Sequence, residues 1–215
     1  LTEDVVPYMV QNFQVSDDPA NWGAVGWSSG GTCALNLTVK YPDLFSTFVN
    51  IDGDFAPNAG TKSQTIERLF GGNAAAYDEW YPPTVMDEHG PYEGAAGWFA
   101  VSENAKIPAI SGAALQEEPE ERAPESNPTA AARALCRLGS QYGIDCAVVP
   151  QSGKHDWPFA AKAFAAALPW LAWQVDTPGV PEVPLPGTST QPEGVTIAAE
   201  GHSGGPAGHK PAGVR

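Results

Sequence analysis

Trp22-Gly23-Ala24-Val25-Gly26-Trp27-Ser28-Ser29-Gly30-Gly31 is the stretch on which the fold turns. It reads as a short apolar strand running into Gly-x-Ser-x-Gly, with Gly26, Ser28 and Gly30 in the fixed places. A helix-like run follows from Thr32 to Tyr41 and stops at Pro42. Strand, serine, helix is the context of a nucleophile elbow, a sharp turn that leaves the serine hydroxyl exposed. Both flanking glycines are expected because a Cβ at either place would collide with the backbone. The helix start behind Ser28 sets amide dipoles where negative charge develops during acyl transfer.

The pentapeptide alone says little in a chain with 23 glycines. Gly201-His202-Ser203-Gly204-Gly205 matches the serine-glycine pattern too. There, however, Pro206 and Gly208 follow, so no helix opens behind Ser203. Context selects Ser28.

Working outward, the elements around the elbow alternate. Leu1 to Phe13 has the apolar spacing of an amphipathic helix, and Asp17, Asp18, Pro19 and Asn21 make a turn before the elbow strand. Phe45 to Ile51 is the next strand, closed by Asp52-Gly53-Asp54. Strand, helix, strand with short connections calls for a parallel sheet with helices on its faces, an α/β fold. Gln64 to Phe70 is a short helix. Tyr77 to Tyr92 mixes aromatics with Pro82 and Pro83 and reads as a surface segment over the sheet edge, where an active site would open. Trp98 to Ser102 is a buried strand, and Ile107 to Leu115 is apolar but ambiguous. Thr129 to Tyr142 is a helix, Cys146 to Pro150 a strand and Pro158 to Val175 a final helix. The domain is read as residues 1–176; residues 177–215, rich in Pro, Gly, Ser and Thr, read as a flexible tail.

With 215 residues, 42% of them hydrophobic and seven tryptophans among them, the chain suits one domain with a sizeable core. Its formal charge of −14, from 25 acids against 11 bases, argues against nucleic acid, because phosphate binding needs a basic surface. Much of that charge lies in the run from Glu117 to Glu125, read as a solvated loop. No run of about 18 apolar residues spans a membrane, and no signal peptide is visible. Cys136 and Cys146 flank a helix end and the next strand, so they are either bridged or two buried thiols. A bridge would imply an oxidising compartment. Cys33, in the first turn after Ser28, reads as a small core residue.

A serine hydroxyl needs a base to take its proton, and the base needs an acid to orient it. After an elbow of this kind the chain order is serine, acid, histidine, with the histidine on a loop past the last strand. Of the four histidines, His202 and His209 lie in the tail and His89 comes too early. His155, in Gln151-Ser152-Gly153-Lys154-His155-Asp156-Trp157, has the right place. No Asp occurs between Asp87 and Asp145, so in that interval the acid is a Glu. Glu103 stands directly after the Trp98–Ser102 strand. Glu117 and Glu118 would hold that place if Ile107–Leu115 were the strand, while Glu120, Glu121 and Glu125 precede the next helix. The Ser29 N–H is the expected first donor of an oxyanion hole. A second donor and several strands normally precede such an elbow, and too few residues stand before it here to supply them. No metal site is expected, since His155-Asp156 and Glu88-His89 lack ligand spacing. No cofactor is called for.

Several of these pieces together resemble a known family. They are Gly26-Trp27-Ser28-Ser29-Gly30 with Ala34-Leu35, Tyr41-Pro42-Asp43-Leu44-Phe45, Leu69-Phe70-Gly71-Gly72 with Trp80, and Gly153-Lys154-His155-Asp156-Trp157. From Leu1 to about Pro178 the chain resembles the C-terminal part of the esterase family of α/β-hydrolases that includes esterase D and the mycolyltransferases. That likeness implies a three-layer sandwich around a mainly parallel sheet, without its N-terminal strands. It implies a serine hydrolase or acyltransferase acting on small-molecule or lipid esters through Ser28, His155 and a Glu. More typical members point to Glu103, and the mycolyltransferases to Glu121. Similarity to envelope hydrolases implies an extracytoplasmic place and attachment through membrane helices ahead of the domain. The alternative is a non-catalytic module derived from such a hydrolase, or an inactive fragment of a larger membrane-anchored protein.

Overall fold

The computed structural model describes residues 1–103 and 127–187. Its centre is a four-stranded sheet in the order β1 (Gly23–Trp27), β2 (Thr47–Ile51), β3 (Ala96–Ser102), β4 (Asp145–Gln151). Every pairing is parallel. The register sets Trp27 beside Ile51 and Ile51 beside Ala100, so the strands end together at one edge. All residues of β2 and β3 are buried, as befits strands covered on both faces, while β1 and β4 are only partly covered. Among the described residues nothing pairs with the outer side of β1, and Val25 there is 41% exposed.

Among the described residues seven α-helices accompany the sheet: α1 (Val5–Phe13), α2 (Ser29–Lys40), α3 (Lys62–Phe70), α4 (Ala74–Asp78), α5 (Pro82–His89), α6 (Pro128–Gln141) and α7 (Trp157–Gln174). The strands advance across the sheet in one direction. Right-handed crossovers then put α2, α5 and α6 on the same face. One core accordingly joins Leu35 and Val39 of α2, Val85 and Met86 of α5 and Leu135 of α6 to Phe48, Phe99 and Val101. The strand residues of opposite parity, Val49, Ile51, Trp98 and Ala100, face the other way and meet Phe159, Ala163, Ala167 and Trp170 of α7. Among the described residues no helix is long and apolar enough to cross a membrane.

The structure departs from the sequence reading at Tyr77–Tyr92 and at Cys33. The segment from Tyr77 to Tyr92 is part of the core rather than a surface flap: Tyr77, Val85, Met86 and Tyr92 are all buried. The Tyr92 hydroxyl donates to the Val39 carbonyl at 2.9 Å, tying this segment to α2. The first helix, α1, forms as the sequence reads, and among the described residues nothing covers its apolar face, with Tyr8 58% and Phe13 59% exposed. Residues 177–187, the first part of the predicted tail, lie on the body, because Leu185 is buried and Val183 packs beside it in the α7 core; residues 188–215 lie outside the described residues. Cys33 is exposed rather than a core residue. Ile107 to Leu115, the acidic run from Glu117 to Glu125, and Ser203 with its flanking residues lie outside the described residues.

Cys136 at the end of α6 and Cys146 in β4 are bridged, with their Cα atoms 5.7 Å apart. The bridge closes the turn that brings β4 back alongside β3.

Candidate active site

Ser28 sits between β1 and α2 at φ 56° and ψ −127°. A non-glycine residue at positive φ costs on the order of 1–3 kcal/mol and persists only where its surroundings enforce it. Here they do: Ser28 N–H donates to Ile51 O at 2.9 Å, and the Ser28 carbonyl accepts from Gly31 and Thr32. The glycines that make the turn possible are not the pair expected. A Cβ on Gly26 would overlap the Gly30 carbonyl, and one on Gly31 would stand 2.8 Å from Asn50 Oδ1 and 3.1 Å from Ile51 N. A Cβ on Gly30 would meet nothing within 4 Å. Gly26 and Gly31 are therefore the positions that steric contact requires, because α2 starts directly over β1 and β2.

His155 comes to this turn from the loop between β4 and α7. Its Nε2 lies 3.0 Å from Ser28 Oγ. Three local features hold the loop. Gly153 has no Cβ because the Phe159 ring occupies that space. Asp156 caps α7 by accepting from Phe159 N at 2.9 Å. The Trp27 ring packs in tilted contact with both the His155 ring, centroids 4.9 Å apart, and the Trp157 ring, 4.3 Å apart.

The carboxylate beside the second ring nitrogen belongs to Asp52. Its Oδ2 is 3.4 Å from His155 Nδ1, and the Asp52 side chain is fully buried. The contact is a close approach rather than a formed hydrogen bond, for Nδ1 is buried without a hydrogen-bond partner. Asp52 is fixed from behind: Oδ1 accepts from Ser102 N and Oδ2 from Ser102 Oγ, both at 2.7 Å. Like Ser28, Asp52 holds a positive φ, 47°, at the carboxyl end of a strand. The sequence reading took Asp52-Gly53-Asp54 as a strand ending. The available signal was an acid in the serine-acid-histidine order on the strand beside the elbow strand.

Glu103 follows β3 as expected, with its N–H on Gln151 O at 3.0 Å. It is exposed, and no hydrogen bond or ion pair among the described residues joins its carboxylate to His155. Glu121 lies outside the described residues. Ser29 begins α2, so helix geometry leaves its N–H without an intrahelical acceptor. Asp54 flanks the site, and burial pushes its carboxyl above the ordinary range, partly offset by a hydrogen bond with Asn58 and the charge of His155. Among the described residues no three His, Cys, Asp or Glu side chains gather as metal ligands would. A hydroxyl, an imidazole against it and a buried carboxylate behind the imidazole are the parts that proton transfer and nucleophilic attack require.

A cavity of about 380 Å³ opens beside the elbow, lined by Ser29, Cys33 and Asn36 of α2, by Asp54, and by Leu69, Phe70 and Trp80.

Comparison with known proteins agrees with this architecture. The model of the family described as "Putative esterase" matches residues 1–171. An uncharacterized protein of Corynebacterium glutamicum is 29% identical over 178 residues, 80% of this chain and 37% of that protein. The uncharacterized protein YbbA of Bacillus subtilis is 26% identical over 77 residues, 36% of this chain and 31% of its own. The chain thus spans about a third of the length of the curated relatives it matches. Among solved structures, an S-formylglutathione hydrolase from Agrobacterium tumefaciens superposes with a TM-score of 0.59 at 15% identity, over 81% of this chain and 56% of that one. A ferulic acid esterase gives 0.56 at 15% identity, over 80% and 59%. These likenesses establish the α/β-hydrolase type of fold.

Proposed function

Since the chain belongs to the esterase family whose model spans residues 1–171, we propose that it carries the catalytic centre of a serine hydrolase acting on carboxylic esters. Ser28 Oγ attacks the ester carbonyl while His155 Nε2 takes its proton. Asp52 holds the imidazole in place and balances the imidazolium that forms. The Ser29 N–H, at the positive end of α2, meets the oxyanion. His155 then returns the proton to the leaving alcohol, leaving an acyl group on Ser28. Water, or an acceptor alcohol in an acyl transfer, resolves that ester. The observation that carries this reading is the 3.0 Å contact of His155 Nε2 with Ser28 Oγ, with Asp52 on the other side of the ring. Similarity to solved enzymes named as an S-formylglutathione hydrolase and a ferulic acid esterase is consistent with it.

The Cys136–Cys146 bridge favours an oxidising, extracytoplasmic setting for this domain. The reading is tested by turnover of nitrophenyl acetate by the whole polypeptide that contains the chain. Loss of turnover in Ser28→Ala and in His155→Ala is expected. Turnover unchanged in both would leave a non-catalytic module derived from a hydrolase as the better account.

A further inference from the structure

Asp54 is a partly buried acid that the reaction at Ser28 does not use. It follows Asp52 by two residues, and Thr32 of α2 fixes its backbone beside the elbow. The Asp54 N–H donates to Thr32 Oγ1 at 2.9 Å, and the Thr32 N–H donates to the Ser28 carbonyl at 3.2 Å. From this position Asp54 lines the same cavity as Ser29, together with Asn58 and the aromatic residues Phe70 and Trp80.

What this carboxylate lacks is a cation. Among the described residues the ion pairs are Lys40 with Glu79 and His155 with Asp52, and neither includes Asp54. Lys40 lies over the Trp80 ring, 4.8 Å from its centre, but its charge is engaged by Glu79. Arg68 donates to the Ala59 carbonyl. The charge of a protonated His155 reaches Asp54, yet Asp52 already stands against that ring. A partly buried carboxylate without a cation is unfavourable, and burial accordingly pushes the Asp54 carboxyl up, with Asn58 offsetting only part of the rise. A positively charged group entering the cavity would relieve that cost. Aromatic rings in the wall suit the same guest, since their faces attract cations. The formal charge of −14 favours cations anywhere on the chain, whereas Asp54 gives them a place next to the nucleophile.

Resting on the reading of Ser28 as nucleophile, we propose that Asp54 determines specificity by binding an ammonium group of the substrate in the cavity it shares with Ser29. The preferred substrates are esters that carry a positive charge a few bonds from the carbonyl.

Two pairs of esters test it on the whole polypeptide, with nitrophenyl acetate alongside. Acetylcholine carries the cation in its alcohol, and the nitrophenyl ester of γ-trimethylammoniobutanoate carries it in its acyl group. Each is compared with an isostere in which a neutral tert-butyl group replaces the trimethylammonium. A kcat/KM about tenfold higher for the charged member of at least one pair is expected, the ratio of one partly buried charge contact made or missed. The pair that shows it tells which arm of the ester enters the cavity. Asp54→Asn should bring that ratio to one or below, and Asp54→Ser serves if Asp54→Asn does not fold. Wild-type ratios at or below one in both pairs, with nitrophenyl acetate turned over, overturn the proposal and leave the esterase reading intact. A ratio that stays high in the folded variant assigns the preference to the charge of the whole chain and overturns the role of Asp54. No turnover of any of these esters removes both readings.

Discussion

Asp52 and His155 meet at 3.4 Å across the carboxyl ends of the sheet, the acid fully buried and the ring partly open to solvent. Asp52 comes from the strand directly beside the one that delivers Ser28. Sheet register alone therefore brings Asp52 close to Ser28, and the β4–α7 loop sets the His155 imidazole against both side chains.

Asp52→Asn should lower kcat for a small ester by about 10⁴-fold, the loss seen when the acid of such a triad is neutralised. The amide oxygen can still accept from Ser102 N, so the fold should survive. Glu103→Gln, which alters an exposed carboxylate, should change kcat less than about threefold. Steady-state kinetics on both variants decide the point. A collapse with Glu103→Gln and none with Asp52→Asn would move the acid to Glu103.

The elbow glycines should differ in tolerance. Gly26→Ala sets a Cβ into the Gly30 carbonyl and should destabilise by about 3 kcal/mol or more. Gly30→Ala meets open space inside a helix and should be neutral or stabilising by up to about 1 kcal/mol. Urea unfolding of the two variants measures the difference, and equal losses would contradict the geometry.

Asp54 makes stability depend on pH in a direction opposite to that of most carboxylates. Its folded pKa is raised above the ordinary 3.8, chiefly by burial. Between the two values the native state holds a proton that the unfolded state has released. Stability therefore falls as pH rises through that window, and above the folded pKa the native protein carries the full burden of a buried carboxylate. Asp54→Asn should flatten this part of the profile and raise stability at neutral pH. Chemical denaturation from acid to neutral pH reads it directly. A variant no more stable than wild type at neutral pH would refute the burial argument.

The Cys136–Cys146 bridge spans a separation of 10 residues. On the chain-entropy estimate, removing so short a loop closure costs about 3 kcal/mol. The Cys136→Ala, Cys146→Ala double variant should lose about that much in urea unfolding. Wild-type protein kept in reductant should approach the same value, and no loss in either would mean that the bridge does not form.

Where chemistry is local, the sequence was readable. The elbow serine, the loop histidine and the alternation of strands and helices each rest on a few neighbouring residues, and each stands in the structure where it was expected. Asp52 was passed over because what distinguishes it is not local. Its burial, its positive φ and its bonds to Ser102 arise only when β2 pairs with β3. In the chain it looks like any turn acid. The segment from Tyr77 to Tyr92 was misjudged for a related reason. It folds as two helices too short to show an apolar period, so Val85 and Met86 gave no sign of their burial. At the elbow itself, the pattern names Gly30, yet the contact falls on Gly31, because the clash depends on where Asn50 of the next strand points.

The central claim is that Ser28 is a nucleophile activated by His155. It is tested most directly by treating the whole polypeptide with a fluorophosphonate and mapping the adduct by peptide mass spectrometry. The adduct should fall on Ser28, be absent in Ser28→Ala, and form far more slowly in His155→Ala. An adduct on another serine, or labelling that persists in Ser28→Ala, would contradict it.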